Sequence, residues 1–140
     1  MIMETTPLEN WIAGKTGIAG RPELPKLREY QLFKLRETLR LVLSGSRFYK
    51  EHLAGVTPDS IQSMADLALL PFTYPADIAD RGADFLCVSP RDIGRIVTLS
   101  TSGTTGQAKR IYFTGSDQEF TIDFFHHGMM TMTDEHDIVM

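Results

Sequence analysis

The stretch Ile96-Val97-Thr98-Leu99-Ser100-Thr101-Ser102-Gly103-Thr104-Thr105-Gly106-Gln107-Ala108-Lys109-Arg110 decides how this chain is read. Ile96 to Leu99 is an apolar, β-branched run that predicts a short strand. Hydroxyls and glycines follow from Ser100 to Gly106, then Lys109 and Arg110, then a second β-prone run, Ile111-Tyr112-Phe113-Thr114. Such a loop favours an anion. Gly103 and Gly106 take positive φ without a Cβ penalty, so backbone N–H groups can turn inward. The hydroxyls of Thr101, Ser102, Thr104 and Thr105 can donate to oxygen ligands, and Lys109 adds positive charge. A polyphosphate uses all three features at once.

Two other phosphate loops are excluded by spacing. Walker A needs four residues between its glycines followed by Gly-Lys-Ser/Thr, and only Thr104 and Thr105 separate Gly103 from Gly106. The dinucleotide fingerprint needs Gly-x-Gly, which Leu99 to Gly106 lacks. Those loops also lead from strand to helix, whereas this one leads from strand to strand. The plain alternative is a Ser/Thr/Gly hairpin turn with no ligand.

Working outward, 140 residues suit one ordinary domain with apolar content enough for a core. A net charge of −4, with Lys and Arg scattered, speaks against a nucleic-acid footprint. The single cysteine, Cys87, excludes an internal disulfide framework and suits a reducing compartment. Within Phe85-Leu86-Cys87-Val88 it reads as a small buried hydrophobe, not a nucleophile. Residues 1–20 carry no secretory pattern and no apolar stretch is long enough to span a bilayer, so the expected location is cytoplasmic, with no membrane partner.

Residues 1–21 are poorly patterned, with Trp11-Ile12 as their apolar anchor, and are expected to be an extended or weakly ordered lead-in. From Pro25, Leu32, Leu35, Leu39 and Val42 recur at helical spacing, and Ser44-Gly45 marks the stop. Phe48 to Leu53 predicts a second short helix and Ile61 to Leu70 a short helical stretch. Pro75 is placed to open another helix, broken at Gly82, and Phe85 to Val88 predicts a short buried strand or extended segment. Ser116 and Glu119 have capping-box spacing for a helix with Phe120, Phe124 and His127 on one face. Ile122, Phe125 and Met129 lie on another, so that helix is expected to be buried on much of its surface. His126 and His127 point about 100° apart on a helix, which disfavours joint chelation of one metal ion, with or without His136.

Thr101-Ser102-Gly103-Thr104-Thr105-Gly106-Gln107-Ala108-Lys109 resembles the signature loop of the adenylate-forming superfamily: acyl-CoA synthetases, luciferases and peptide-synthetase adenylation domains. The usual form is Thr-Ser-Gly-Thr-Thr-Gly-x-Pro-Lys-Gly; Ala108 stands where proline is usual and Arg110 where glycine is usual. Upstream, Leu35-Arg36-Glu37-Thr38-Leu39, Ser46-Arg47-Phe48-Tyr49 and Asp66-Leu67-Ala68-Leu69-Leu70-Pro71-Phe72-Thr73 resemble the opening of phenylacetate–CoA ligase-like proteins, with Arg47 in place of a proline. The likeness covers roughly Leu27 to Met140.

The resemblance implies an α/β fold: the N-terminal part of an adenylate-forming enzyme's large domain, a helical lead-in followed by strand, glycine loop, strand and helix. Residues 1–23 would be the lead-in and 24–140 the N-terminal part of an AMP-binding domain, incomplete at its C-terminal end. It implies an ATP-dependent acid–thiol ligase that activates a carboxylic acid as acyl-adenylate and transfers it to CoA, with ATP, Mg2+ and CoA as substrates of the full-length enzyme. Thr101, Ser102, Gly103, Thr104, Thr105, Gly106 and Lys109 would then hold the ATP phosphates. The family's magnesium-binding glutamate, its ribose-binding aspartate and its lid lysine lie far downstream of the loop. No catalytic residue or metal ligand is therefore assigned here, and the chain is expected to be inactive alone and to associate with the remainder of such an enzyme. The acid is not legible in this stretch. A non-catalytic nucleotide- or phosphate-binding module, or a helical interaction domain with a glycine-rich linker, are the alternatives.

Overall fold

The computed structural model describes residues 6–18, 20, 23–99, 108–134 and 136–138. They form helices α1 (Pro7–Thr16), α2 (Leu24–Gly45), α3 (Arg47–His52), α4 (Pro75–Arg81) and α5 (Gly115–Met129), and strands β1 (Ile93–Leu99) and β2 (Lys109–Thr114). Short 3-10 turns cover Pro58–Ser60, Met64–Leu69, Gly82–Phe85 and Pro90–Asp92. The architecture is mostly helical with a two-stranded antiparallel sheet, an α/β mixture. Contacts divide the chain into two compact units, Met1–Tyr30 with Ser116–Met140, and Gln31–Gly115.

In the first unit, Pro7–Thr16 is a helix within the stretch expected to be an extended or weakly ordered lead-in. Thr6 and Glu9 form a reciprocal capping box: the Glu9 N–H donates to Thr6 Oγ1 at 3.2 Å, and the Thr6 N–H donates to Glu9 Oε2 at 2.9 Å. Pro7 supplies a preset φ at the first helical position, and Gly17 closes the helix at φ 70°, where a side chain would be strained. Trp11 meets Phe120 and Phe124 of α5 at ring-centroid distances of 5.6 and 5.4 Å. The second apolar stripe of α5 is open instead of buried: Ile122 is 69% and Phe125 61% exposed. Trp11 lies against the other stripe yet leaves Phe120 54% and Phe124 41% exposed, so α5 is not buried on much of its surface.

In the second unit Leu39, Leu53 and Ile61 are buried, with Leu32, Leu35 and Val42 packed against them, so the helical spacing of α2 reports the core face correctly. Arg36 donates through Nε to the Ile61 carbonyl at 2.8 Å, tying the chain after α3 back onto α2. Gly45 ends α2 for a reason other than backbone freedom. A Cβ there would lie 2.8 Å from Cys87 Cα, so the absence of a side chain permits a close approach of two backbones. Beside it Ser46 is fully buried, accepting from the Tyr49 N–H at 3.2 Å as the cap of α3 and donating to the Asp84 carbonyl at 2.8 Å.

Phe48 stacks on Phe85 with centroids 4.1 Å apart. Arg81 reaches Glu51 at 2.7 Å and Asp84 at 3.0 Å while its guanidinium lies 5.1 Å from the Phe48 ring centroid. The segment Phe85 to Val88, expected to be a short buried strand or extended segment, is no strand: a 3-10 turn ends at Phe85, Leu86 is extended and Cys87 and Val88 bend, where Cys87 comes close to Gly45 at the end of α2.

Replacing Ser46 by alanine leaves the Asp84 carbonyl and the Tyr49 N–H without partners and should destabilise the fold by about 1–3 kcal/mol in urea unfolding. Ser44→Ala, whose exposed hydroxyl bonds only within its own helix turn, should stay within about 0.5 kcal/mol of wild type. Equal effects at the two serines would contradict this account.

A second prediction follows from two lowered carboxylates. Asp66 accepts from the backbone N–H groups of Ser63 and Gln62, both at 2.8 Å, which holds its pKa below the ordinary value. Glu51 is lowered first by its hydrogen bond from Arg81. Each binds a proton less readily folded than unfolded. Their stabilisation is therefore complete above the ordinary carboxylate pKa of about 4 and is lost as pH falls through the lowered folded values. Unfolding midpoints measured from neutral to acid pH should drop at the acid end, and the drop should be shallower in Asp66→Ala; parallel profiles would contradict it.

Candidate functional site

Of the residues expected to form the site, the structure describes Lys109, at the start of β2. The strands pair antiparallel with Ile96 opposite Tyr112, Val97 opposite Ile111, Thr98 opposite Arg110 and Leu99 opposite Lys109. Two β-branched, apolar runs favour this ladder, and the register slips between Ile93 and Arg95, around Gly94. Thr101, Ser102, Gly103, Thr104, Thr105 and Gly106 lie outside the described residues. The chain on either side of them is held as a cross-strand pair by Leu99 and Lys109. Lys109 is half-buried and has no carboxylate partner among the described residues.

Successive residues of a strand face opposite sides of the sheet. Lys109 shares a face with Leu99, Val97 and Ile111, while Arg110 shares one with Thr98, Ile96 and Tyr112. The two adjacent cations therefore address different spaces. Ala108 is exposed immediately before β2. Tyr112 leans toward the end of α4: a Cβ on Gly82 would stand 3.9 Å from Tyr112 Cε2.

Sequence reasoning missed a polar cluster in the first unit. Trp11 Nε1 donates to Asp123 Oδ2 at 2.7 Å, and Lys15 Nζ lies 2.9 Å from the same oxygen. These contacts, the Trp11 hydrogen bond first, lower the Asp123 pKa. His127 Nδ1 is 2.8 Å from the Asp123 carbonyl and 3.4 Å from Oδ1. The signal available was the i, i+4 spacing of Trp11 with Lys15 and of Asp123 with His127, but it needs α1 to be helical before it has meaning. His126 and His127 are perpendicular, with centroids 5.1 Å apart. Among the described residues no group of His, Cys, Asp and Glu converges as a metal site. Cys87 is half-buried, and burial pushes its thiol pKa up, which disfavours the thiolate. No helix among the described residues is long and apolar enough to cross a membrane.

No family model matches the chain. Over 95 residues it is 33% identical to a phenylacetate-coenzyme A ligase of Aromatoleum evansii, an alignment that takes in 66% of this chain and 21% of that protein. The chain thus spans about a fifth of the length of the curated relative it matches, and its sequence is distantly similar to part of a CoA ligase.

Proposed function

We propose that the chain is an N-terminal portion of a phenylacetate–CoA ligase-like enzyme and contributes the loop that holds the ATP phosphates. The observation that carries this reading is the 33% identity over 95 residues to such a ligase. It is joined by the Thr101–Lys109 motif and by a hairpin that holds Leu99 opposite Lys109.

In this reading the acid's carboxylate attacks the α-phosphorus of ATP, pyrophosphate leaves, and the CoA thiol then displaces AMP from the acyl-adenylate. Hydroxyls and backbone N–H groups between Thr101 and Gly106 take up charge on the β- and γ-phosphates. Lys109 adds a cation at the loop's edge, with the ladder fixing where its Cα stands. The family's proline would stiffen the position before this lysine; with Ala108 there, the pairing of Lys109 with Leu99 does that work. Mg2+, CoA and the acid would be held largely by residues beyond this stretch, and the protein would act in the cytoplasm. The competing reading, a phosphate-binding module without catalysis, has no specific observation in its favour.

The test is a chimera in which the matched 95-residue stretch replaces its counterpart in a phenylacetate–CoA ligase. The chimera should form phenylacetyl-CoA, and this chain by itself should show no ATP–pyrophosphate exchange. Lys109→Ala in the chimera should cost about 1.5–3 kcal/mol of transition-state stabilisation, roughly ten- to a hundredfold in rate. Gly103→Val and Gly106→Val should be at least as severe, because they forbid conformations open to glycine. Cys87→Ala should change little. A folded chimera without activity, or an active one indifferent to Lys109 and both glycines, would overturn the reading.

A further inference from the structure

The end of α5 reads His126-His127-Gly128-Met129-Met130-Thr131-Met132, which sets imidazoles and thioethers side by side. The Met130 N–H donates to the His126 carbonyl at 3.0 Å, so position 130 completes the last helical turn. Residues three and four apart on a helix are neighbours, with Cβ atoms roughly 5–6 Å apart. Met130 follows His126 by four residues and His127 by three, so it neighbours both, and the three positions make a small triangle on the helix surface. Adjacent histidines leave a helix about 100° apart, yet these two rings have centroids 5.1 Å apart. Two imidazoles on one metal, with metal–nitrogen bonds of about 2.0 Å, stand at a similar spacing.

The ligand atoms are available. His127 Nδ1 lies 2.8 Å from the Asp123 carbonyl and 3.4 Å from Asp123 Oδ1. A proton held there leaves the lone pair on Nε2, the arrangement in which a carbonyl or carboxylate orients a metal-binding histidine. His126 and Met130 are exposed, and His126 has no hydrogen bond or ion pair with any described residue. The unsatisfied carbonyls at a helix C-terminus favour a cation. Lys15, a cation that reaches the same helix, is already paired with Asp123 at 2.9 Å. The third ligand decides the metal. Zn2+ is held by thiolate, imidazole and carboxylate, whereas a soft thioether beside imidazoles suits Cu(I).

We propose that His126, His127 and Met130 form a binding site for monovalent copper, with two imidazole nitrogens and one thioether sulfur as ligands. The site makes no use of the glycine-rich loop and stands whether or not that loop binds phosphate.

Anaerobic titration of the 140-residue chain with Cu(I), kept in solution by acetonitrile and followed by methionine-methyl NMR, tests it. A Cys87→Ala background removes the single thiol, which would take the metal itself. The Met130 methyl resonance, assigned by its loss in Met130→Leu, should move and saturate at one equivalent. Met130→Leu and His126→Gln, both at exposed positions, should each weaken binding at least about tenfold. Met132→Leu and His136→Gln lie outside the triangle and should leave it unchanged, and excess Zn2+ should not displace the copper. A Met130 resonance that stays in place throughout the titration would overturn the proposal without recourse to any comparison of affinities. So would a folded Met130→Leu chain that takes up Cu(I) as tightly as its parent, or displacement of the copper by Zn2+.

Discussion

The second unit depends on the hydroxyl of Ser46. It is fully buried and it satisfies two backbone groups at once, capping α3 through the Tyr49 N–H and holding the Asp84 carbonyl. Asp84 lies in the turn that follows α4, so this bond joins the end of α2 to the place where α4 stops. Its neighbours serve the same junction. Gly45 lets Cys87 come close, Phe48 stacks on Phe85, and Arg81 spans Glu51 and Asp84. A polar atom at this depth is tolerable because both of its bonds are made; with either lost, burial would count against the fold. The turn held in this way carries Gly82, against which Tyr112 of β2 leans. The placement of the hairpin therefore traces back to a serine far from it in sequence.

Much of this was legible in the chain, and the failures have physical reasons. The stripe of Leu32, Leu35, Leu39 and Val42 identified α2 and its buried face, since one helix against one core is what hydrophobic periodicity measures. The paired β-prone runs flanking the glycine-rich stretch identified the hairpin and brought Lys109 to its edge. Helix α1 was not legible from periodicity, because its stability rests on the Thr6–Glu9 capping box and a terminal glycine. The bend at Phe85 to Val88 was not legible either. An apolar run shows that a segment is partly buried but not whether its backbone meets a strand or a helix end. For α5, the two apolar stripes were read correctly as positions, with Phe120 and Phe124 against Trp11. How far a stripe is covered depends on what packs against it, and that is not a property of the stripe.

For function, the residues divide by strand parity. Lys109 belongs with the loop motif, and its position is secured by the ladder. The alternation of the strand turns Arg110 to the side opposite Lys109. The cluster of Trp11, Lys15, Asp123 and His127 has another character: its donors and acceptors are matched to one another, and it reads as the clasp that holds α1 to α5.

The bond between Ser46 and Asp84 also bears on the order in which the second unit assembles. It spans 38 residues, whereas Asp66 reaches Ser63 over three and Thr57 accepts the Ser60 hydroxyl over three. Short closures cost little chain entropy and form first, while a contact of long span waits until much of the intervening chain is already arranged. The same hydroxyl makes one bond of each kind, local to Tyr49 and distant to Asp84, so it ties a helix cap that closes cheaply to a junction that does not.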